Sequence, residues 1–87
     1  MSGITIYTTG LCAFCYRAKA LLDGKGVAYE EIDVTFRPKH RAEMAAKAGG
    51  ETSVPQIWIG ERHIGGSEEL QALESAGELD RLLTSLA

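Results

Sequence analysis

Long apolar runs are missing from this chain. No stretch approaches the roughly 18 residues that a bilayer-spanning helix requires, and the opening "MSGITIYT" has neither the basic start nor the long apolar segment of a secretory signal. A membrane location is not expected, and a cytoplasmic one is. A charge excess is missing too: 9 Lys and Arg against 12 Asp and Glu leave a net charge of -3, which offers nucleic acid no basic surface. With 45% apolar and 24% charged residues the chain falls outside the disordered class. At 87 residues it has room for one core, because single domains usually take about 50 to 200 residues. The expected organisation is one domain over residues 1–87.

Cysteine is scarce as well: Cys12 and Cys15, three apart in "GLCAFCYR", are the two in the chain. A permanent bridge between them would close a very small loop, and cytosolic thiols are kept reduced. Structural zinc wants four ligands, and His40 and His63 are not spaced as the missing pair. Thiolate or redox chemistry is the reading that remains.

The surrounding pattern places the pair. "ITIYTT" at 4–9 has the β-branched and aromatic composition of a strand, and Gly10 ends it. Phe14, Ala18, Leu21 and Leu22 recur at helical spacing, and "DGKG" at 23–26 supplies a stop. "VAYEEIDV" at 27–34 reads as a second strand whose alternation slips between Tyr29 and Ile32, which suggests a bulge. A half-exposed helix follows, with Pro38 near its start, Met44, Ala45 and Ala48 on one face, and Gly49 and Gly50 after its end.

Ile57–Ile59, Gly60-Glu61 and Arg62–Ile64 read as a hairpin with a type II′ turn. Ser67 is expected to cap a short helix carrying Leu70 and Leu73, and Leu79, Leu82, Leu83 and Leu86 belong to a last one. The order β-α-β-α-β-β-α-α calls for a mixed four-stranded sheet with helices on both faces, an α/β protein. Trp58 and Tyr29 are expected in the core, and the two histidines on the surface.

A strand followed by Cys-x-x-Cys at a helix start, then "TSVPQIWIG" and "HIGGSEEL" at these separations, resembles a glutaredoxin of the dithiol, small bacterial kind. The likeness runs from Ile4 to about Leu83 and implies a thioredoxin fold. It also implies a glutathione-dependent thiol–disulfide oxidoreductase that reduces protein disulfides and glutathionylated proteins, works as a monomer, and is itself served by glutathione reductase and NADPH. Two other readings remain open: a [2Fe–2S] scaffold held by Cys12 of two chains with two glutathiones, and a redoxin reduced by thioredoxin reductase.

A Cys12 sulfur at the helix start would face free N–H groups and the positive end of the helix dipole, where a thiolate is favoured. A free thiol near pKa 8.5 is only about 3% ionised at neutral pH, and helix-start cysteines fall to roughly 3.5–7.5. The added anion is offset by lower nucleophilicity, so the larger benefit is a better leaving group. Cys12 is assigned attack and departure, and Cys15, one turn inside, resolution; the alternative is that Cys15 is a small buried hydrophobe and Cys12 works alone with glutathione.

The resemblance further implies glutathione contacts at Phe14, Ser53, Val54, Pro55, Gly66, Ser67 and Glu68. The Val54-Pro55 bond would be cis with Val54 holding the cysteinyl part, and the Ser67 and Glu68 amides would take the γ-glutamyl carboxylate. The Glu68 side chain, where relatives carry aspartate, would take the ammonium. The sequence departs from the usual Cys-Pro-Tyr-Cys at Ala13 and Phe14, and from the usual lysine at Thr9. Arg17, Lys19 or the cluster Arg37, Lys39 and Arg41 could replace that charge, but a solvated helix surface is the expected role of each.

Overall fold

The computed structural model describes residues 3–86. Strands β1 (Ile4–Thr8), β2 (Glu30–Asp33), β3 (Gln56–Ile59) and β4 (Arg62–Gly65) and helices α1 (Ala13–Gly24), α2 (Pro38–Lys47), α3 (Ser67–Ser75) and α4 (Leu79–Thr84) follow the expected β-α-β-α-β-β-α-α order. The sheet runs β2-β1-β3-β4, with β1 parallel to β2 and antiparallel to β3, and β3 antiparallel to β4.

Side chains on a strand alternate between its two faces, and that alternation builds two cores here. Ile4, Ile6, Ile57 and Ile59 meet Ala18 and Leu22 of α1, Leu70 of α3 and Leu79 of α4 on one face. Tyr7 and Trp58 point the other way, onto Val34, Met44 and Ala48. Helix α2 thus covers one face alone, and Met44 is its one buried residue. Met44→Ala is expected to cost about 2–5 kcal/mol, read as a lower denaturant midpoint with an unchanged slope.

Several expectations need correcting. The second strand is shorter than 27–34, and β1 pairs with it in unbroken register from Thr5↔Glu30 to Thr8↔Asp33. The slip near Tyr29 is therefore the loop entering β2, where Tyr29 hydrogen-bonds Asp23. The bulge lies in the hairpin instead: Trp58 faces His63 while Ile57 faces Gly65, leaving Ile64 as the extra residue. On α1 the buried face is Cys15, Ala18 and Leu22, and Phe14 is 50% exposed. One residue before Cys15, Phe14 is rotated about 100° from it around the helix. Ser67 is the first helical residue rather than the cap; the cap is Gly66, whose N–H donates to Glu69 Oε1 at 2.7 Å.

The hairpin turn is as expected. Gly60 has φ +62°, while among the described residues no non-glycine has positive φ, which is the type II′ pattern. Gly65 is required more strictly: its φ of +114° is one that L side chains rarely adopt, whatever the space around it.

Candidate active site

The chain leaves β1 at Thr8 and reaches Cys12 through a short loop anchored by Gly10, whose N–H donates to Thr35 Oγ1 at 2.8 Å. Thr35 is itself held by Asp33, which accepts from the Thr35 N–H at 2.8 Å. Cys12 has extended backbone angles and is the N-cap of α1. Its sulfur accepts the Cys15 N–H at 3.2 Å, filling the place a serine or aspartate oxygen takes in an ordinary cap. As a thiol it lies 3.8 Å from the Val54 carbonyl oxygen, so the first helix and the segment before β3 meet at this atom.

That segment is clamped on both sides. Arg41 donates from Nε and Nη2 to the Thr52 carbonyl at 3.1 and 2.9 Å. Gln56 Nε2 donates to the Ser53 carbonyl at 3.0 Å. The Val54-Pro55 peptide bond is cis. Beyond it opens a groove of about 510 Å³ bounded by Phe14, Ser53, Val54, Pro55, Gly66, Ser67 and Glu68, together with Glu51, Gln56, His63, Gly65 and Glu69. Every contact position implied by the resemblance lies on this groove. At the far wall the N–H groups of the first turn of α3 have no acceptor within the helix.

The two sulfurs differ sharply in environment. Cys12 is partly exposed, whereas Cys15 is 1% exposed. Burial pushes the Cys15 thiol from 9.0 up to about 12, helped by its hydrogen bond with Cys12 and opposed by the Thr9 backbone and the charge of Lys19. A raised acid is neutral in the folded state over a range where the unfolded chain has already lost the proton. Stability from Cys15 is thus present below pH 9.0 and lost as pH climbs towards about 12. Tyr29, raised to about 12 by burial and by Asp23, acts in the same direction. Denaturant melts of the reduced protein from neutral to about pH 11 should therefore fall more steeply for wild type than for Cys15→Ser, by at most about 1.4 kcal/mol per pH unit. Equal slopes would remove Cys15 from the effect.

None of the basic residues named as stand-ins for a lysine at position 9 lines this groove. Lys19 binds Glu31 at 3.0 Å, and Arg41 is committed to Thr52. Arg17, Arg37 and Lys39 do not line it either, and the carboxylates Glu51, Glu68 and Glu69 do. The Lys19 pair extends inward, because the same Glu31 oxygen accepts from buried Thr8 at 2.7 Å. Burial would raise Glu31, but the bonds from Thr8 and Lys19 win and hold its carboxyl below the usual value.

The family model for glutaredoxin matches residues 4–64. This chain belongs to the glutaredoxin family. It is 55% identical over 85 residues to a glutaredoxin of Pseudomonas aeruginosa, covering 98% of this chain and 100% of the relative. It is 47% identical over 83 residues to glutaredoxin 3 of Escherichia coli, covering 95% and 99%. Among solved structures, the glutaredoxin of Brucella melitensis superposes with a TM-score of 0.82 at 48% identity, covering 95% of this chain and 89% of that one. A buckwheat glutaredoxin–glutathione complex superposes at 0.86 and 29%, covering 95% and 77%. The architecture is thus the thioredoxin fold, and as a glutaredoxin the protein is a thiol–disulfide oxidoreductase.

Gln56 and His63 were not singled out from the sequence as groove residues. Period-2 alternation held a signal: Gln56 and Trp58 share one face of β3, and His63 stands opposite Trp58 across the hairpin. Trp58 and Tyr7 are core, packed edge to face at 5.4 Å. Among the described residues, no helix is long and apolar enough to cross a membrane.

Proposed function

We propose that residues 1–87 work as one dithiol glutaredoxin domain that uses glutathione to reduce glutathionylated proteins and protein disulfides, with Cys12 as nucleophile and Cys15 as resolving thiol. The observation that carries this reading is the Cys12 sulfur, capped by the Cys15 N–H at 3.2 Å and 3.8 Å from the Val54 carbonyl beside the groove. The glutathione-bound buckwheat relative supports the choice of thiol.

With a glutathionylated protein, the Cys12 thiolate attacks the glutathione sulfur. The mixed disulfide breaks, the protein leaves as a thiol after taking a proton, and glutathione remains bonded to Cys12. The thiolate of a second glutathione attacks that glutathione sulfur, forms oxidised glutathione and expels Cys12 as the thiolate. Glutathione reductase and NADPH restore the pool.

With a protein disulfide, the Cys12 thiolate first attacks one substrate sulfur, the substrate S–S bond breaks, and the other substrate sulfur leaves as a thiol after taking a proton. Cys15 then loses its proton and attacks Cys12, releasing the second substrate thiol and leaving a Cys12–Cys15 bridge that two glutathiones reopen. Part of what holds Cys15 neutral is Cys12 itself, through its hydrogen bond and its charge. Once Cys12 is tied in a disulfide that part disappears, while the Thr9 backbone and Lys19 go on favouring the anion. The resolving thiol is thereby easier to ionise at the step that needs it.

In the groove, Phe14 forms an apolar wall and Ser53, Val54 and Pro55 take the cysteinyl part in extended form, with Val54 pairing its backbone like an added strand. The Ser67 and Glu68 amides at the close approach of Gly66 receive the γ-glutamyl carboxylate, and the Glu68 side chain receives the ammonium. Glu69 accepts from Gly66 and takes no part. The protein acts as a monomer in the cytoplasm.

A coupled assay with glutathione, glutathione reductase and NADPH tests the reading. Turnover of a glutathionylated peptide is expected. No turnover there, together with activity driven by thioredoxin reductase, would replace glutathione with another reductant.

A further inference from the structure

The bond that holds the Cys12-facing segment does not end at Gln56. Gln56 is 4% exposed, and its side-chain amide has one donor end and one acceptor end. Nε2 is turned on Ser53, to the carbonyl at 3.0 Å and the hydroxyl at 3.4 Å. That leaves Oε1 to be satisfied, and His63 Nε2 stands 2.7 Å from it. Since an amide oxygen only accepts, His63 carries its proton on Nε2 and donates. The imidazole ring is in turn stacked on Trp58, centroids 4.6 Å apart and planes 26° apart, and Trp58 is buried against Tyr7.

We propose that His63 is a positioning residue for the substrate: through Gln56 it ties the Ser53-Val54 segment to the aromatic core and fixes the strand-like edge offered to the glutathionyl or peptide sulfur. This rests on the glutathione reading above for the identity of the substrate. His63 touches no reacting atom in the scheme. Its action runs from Trp58 through the ring to Gln56, from Gln56 to Ser53, and from there to the residue whose carbonyl faces Cys12. Arg41 holds Thr52 from the opposite side, so release of the Gln56 side frees one end of the segment and leaves the other anchored.

Three variants separate this role from a structural one. His63→Phe keeps a ring on Trp58 and removes the donor, His63→Gln returns a donor at the same number of bonds from Cβ, and Gln56→Leu removes the link itself. The rate constant for reduction of a glutathionylated peptide should fall roughly 5-fold in His63→Phe, the size of one neutral hydrogen bond, and recover in His63→Gln. The double variant His63→Phe with Gln56→Leu should lose no more than Gln56→Leu alone, since both cut one chain. Alkylation of Cys12 by iodoacetamide, which needs no strand pairing, should change less than twofold.

Backbone amide shifts of Ser53 and Val54 should move alike in His63→Phe and Gln56→Leu and return in His63→Gln. Wild-type rates and unmoved shifts in His63→Phe, or losses that multiply in the double variant, would overturn the proposal. If wild type does not turn over the glutathionylated peptide at all, the glutathione reading fails first, and the amide shifts still decide for or against the link through Gln56.

Discussion

Cys12→Ser is expected to lower thiol–disulfide turnover by at least about 10³-fold on every substrate. Exchange requires a sulfur that can attack, hold and release a sulfur; a hydroxyl is scarcely ionised near neutrality and forms no disulfide. The fold should survive, because the position is partly exposed and serine is a good N-cap that can accept the same Cys15 N–H. The NADPH-coupled assay with glutathione checks the loss, and circular dichroism checks the fold. Activity within tenfold of wild type would move the chemistry away from position 12.

Cys15→Ser divides the two reactions. Reduction of a glutathionylated peptide should stay within about threefold of wild type, since a second glutathione resolves that intermediate from outside. Reduction of a protein disulfide should fall by about 50-fold or more, because the neighbouring thiol no longer releases the bound substrate by an intramolecular attack, a step worth a large effective concentration. A trapped adduct of Cys12 with the substrate should be visible by mass. Equal loss on both substrates would assign Cys15 a packing role alone; its 1% exposure makes that rival reading concrete.

Much of the site was legible because it is local. Cys12 and Cys15 lie within one turn of the helix that acts on them, so residue spacing alone brought the Cys15 N–H to the Cys12 sulfur. The positions that the resemblance implied for glutathione were named from the family motifs at Cys12-Cys15, Pro55 and Gly66, and all of them border one groove. Phe14 shows where periodicity misled. Its spacing to Ala18 suits a core stripe, yet it stands at the groove, because the buried stripe is centred on Cys15. The expected bulge went to the wrong strand for a similar reason: broken alternation in "VAYEEIDV" marked a loop, which looks the same in sequence as an extra strand residue.

The amino-acid order by itself determined the elements, the two faces of the sheet and the placing of Cys12 and Cys15 at a helix start, since strand alternation, helix period and capping act over a few residues. Only the tertiary structure decided how basic side chains are spent, with Lys19 on Glu31 and Arg41 on Thr52, and that His63 reaches Gln56 beside the groove. Those partners are joined across strands and loops, and long flexible side chains choose among several neighbours by distance and burial, which no local pattern encodes.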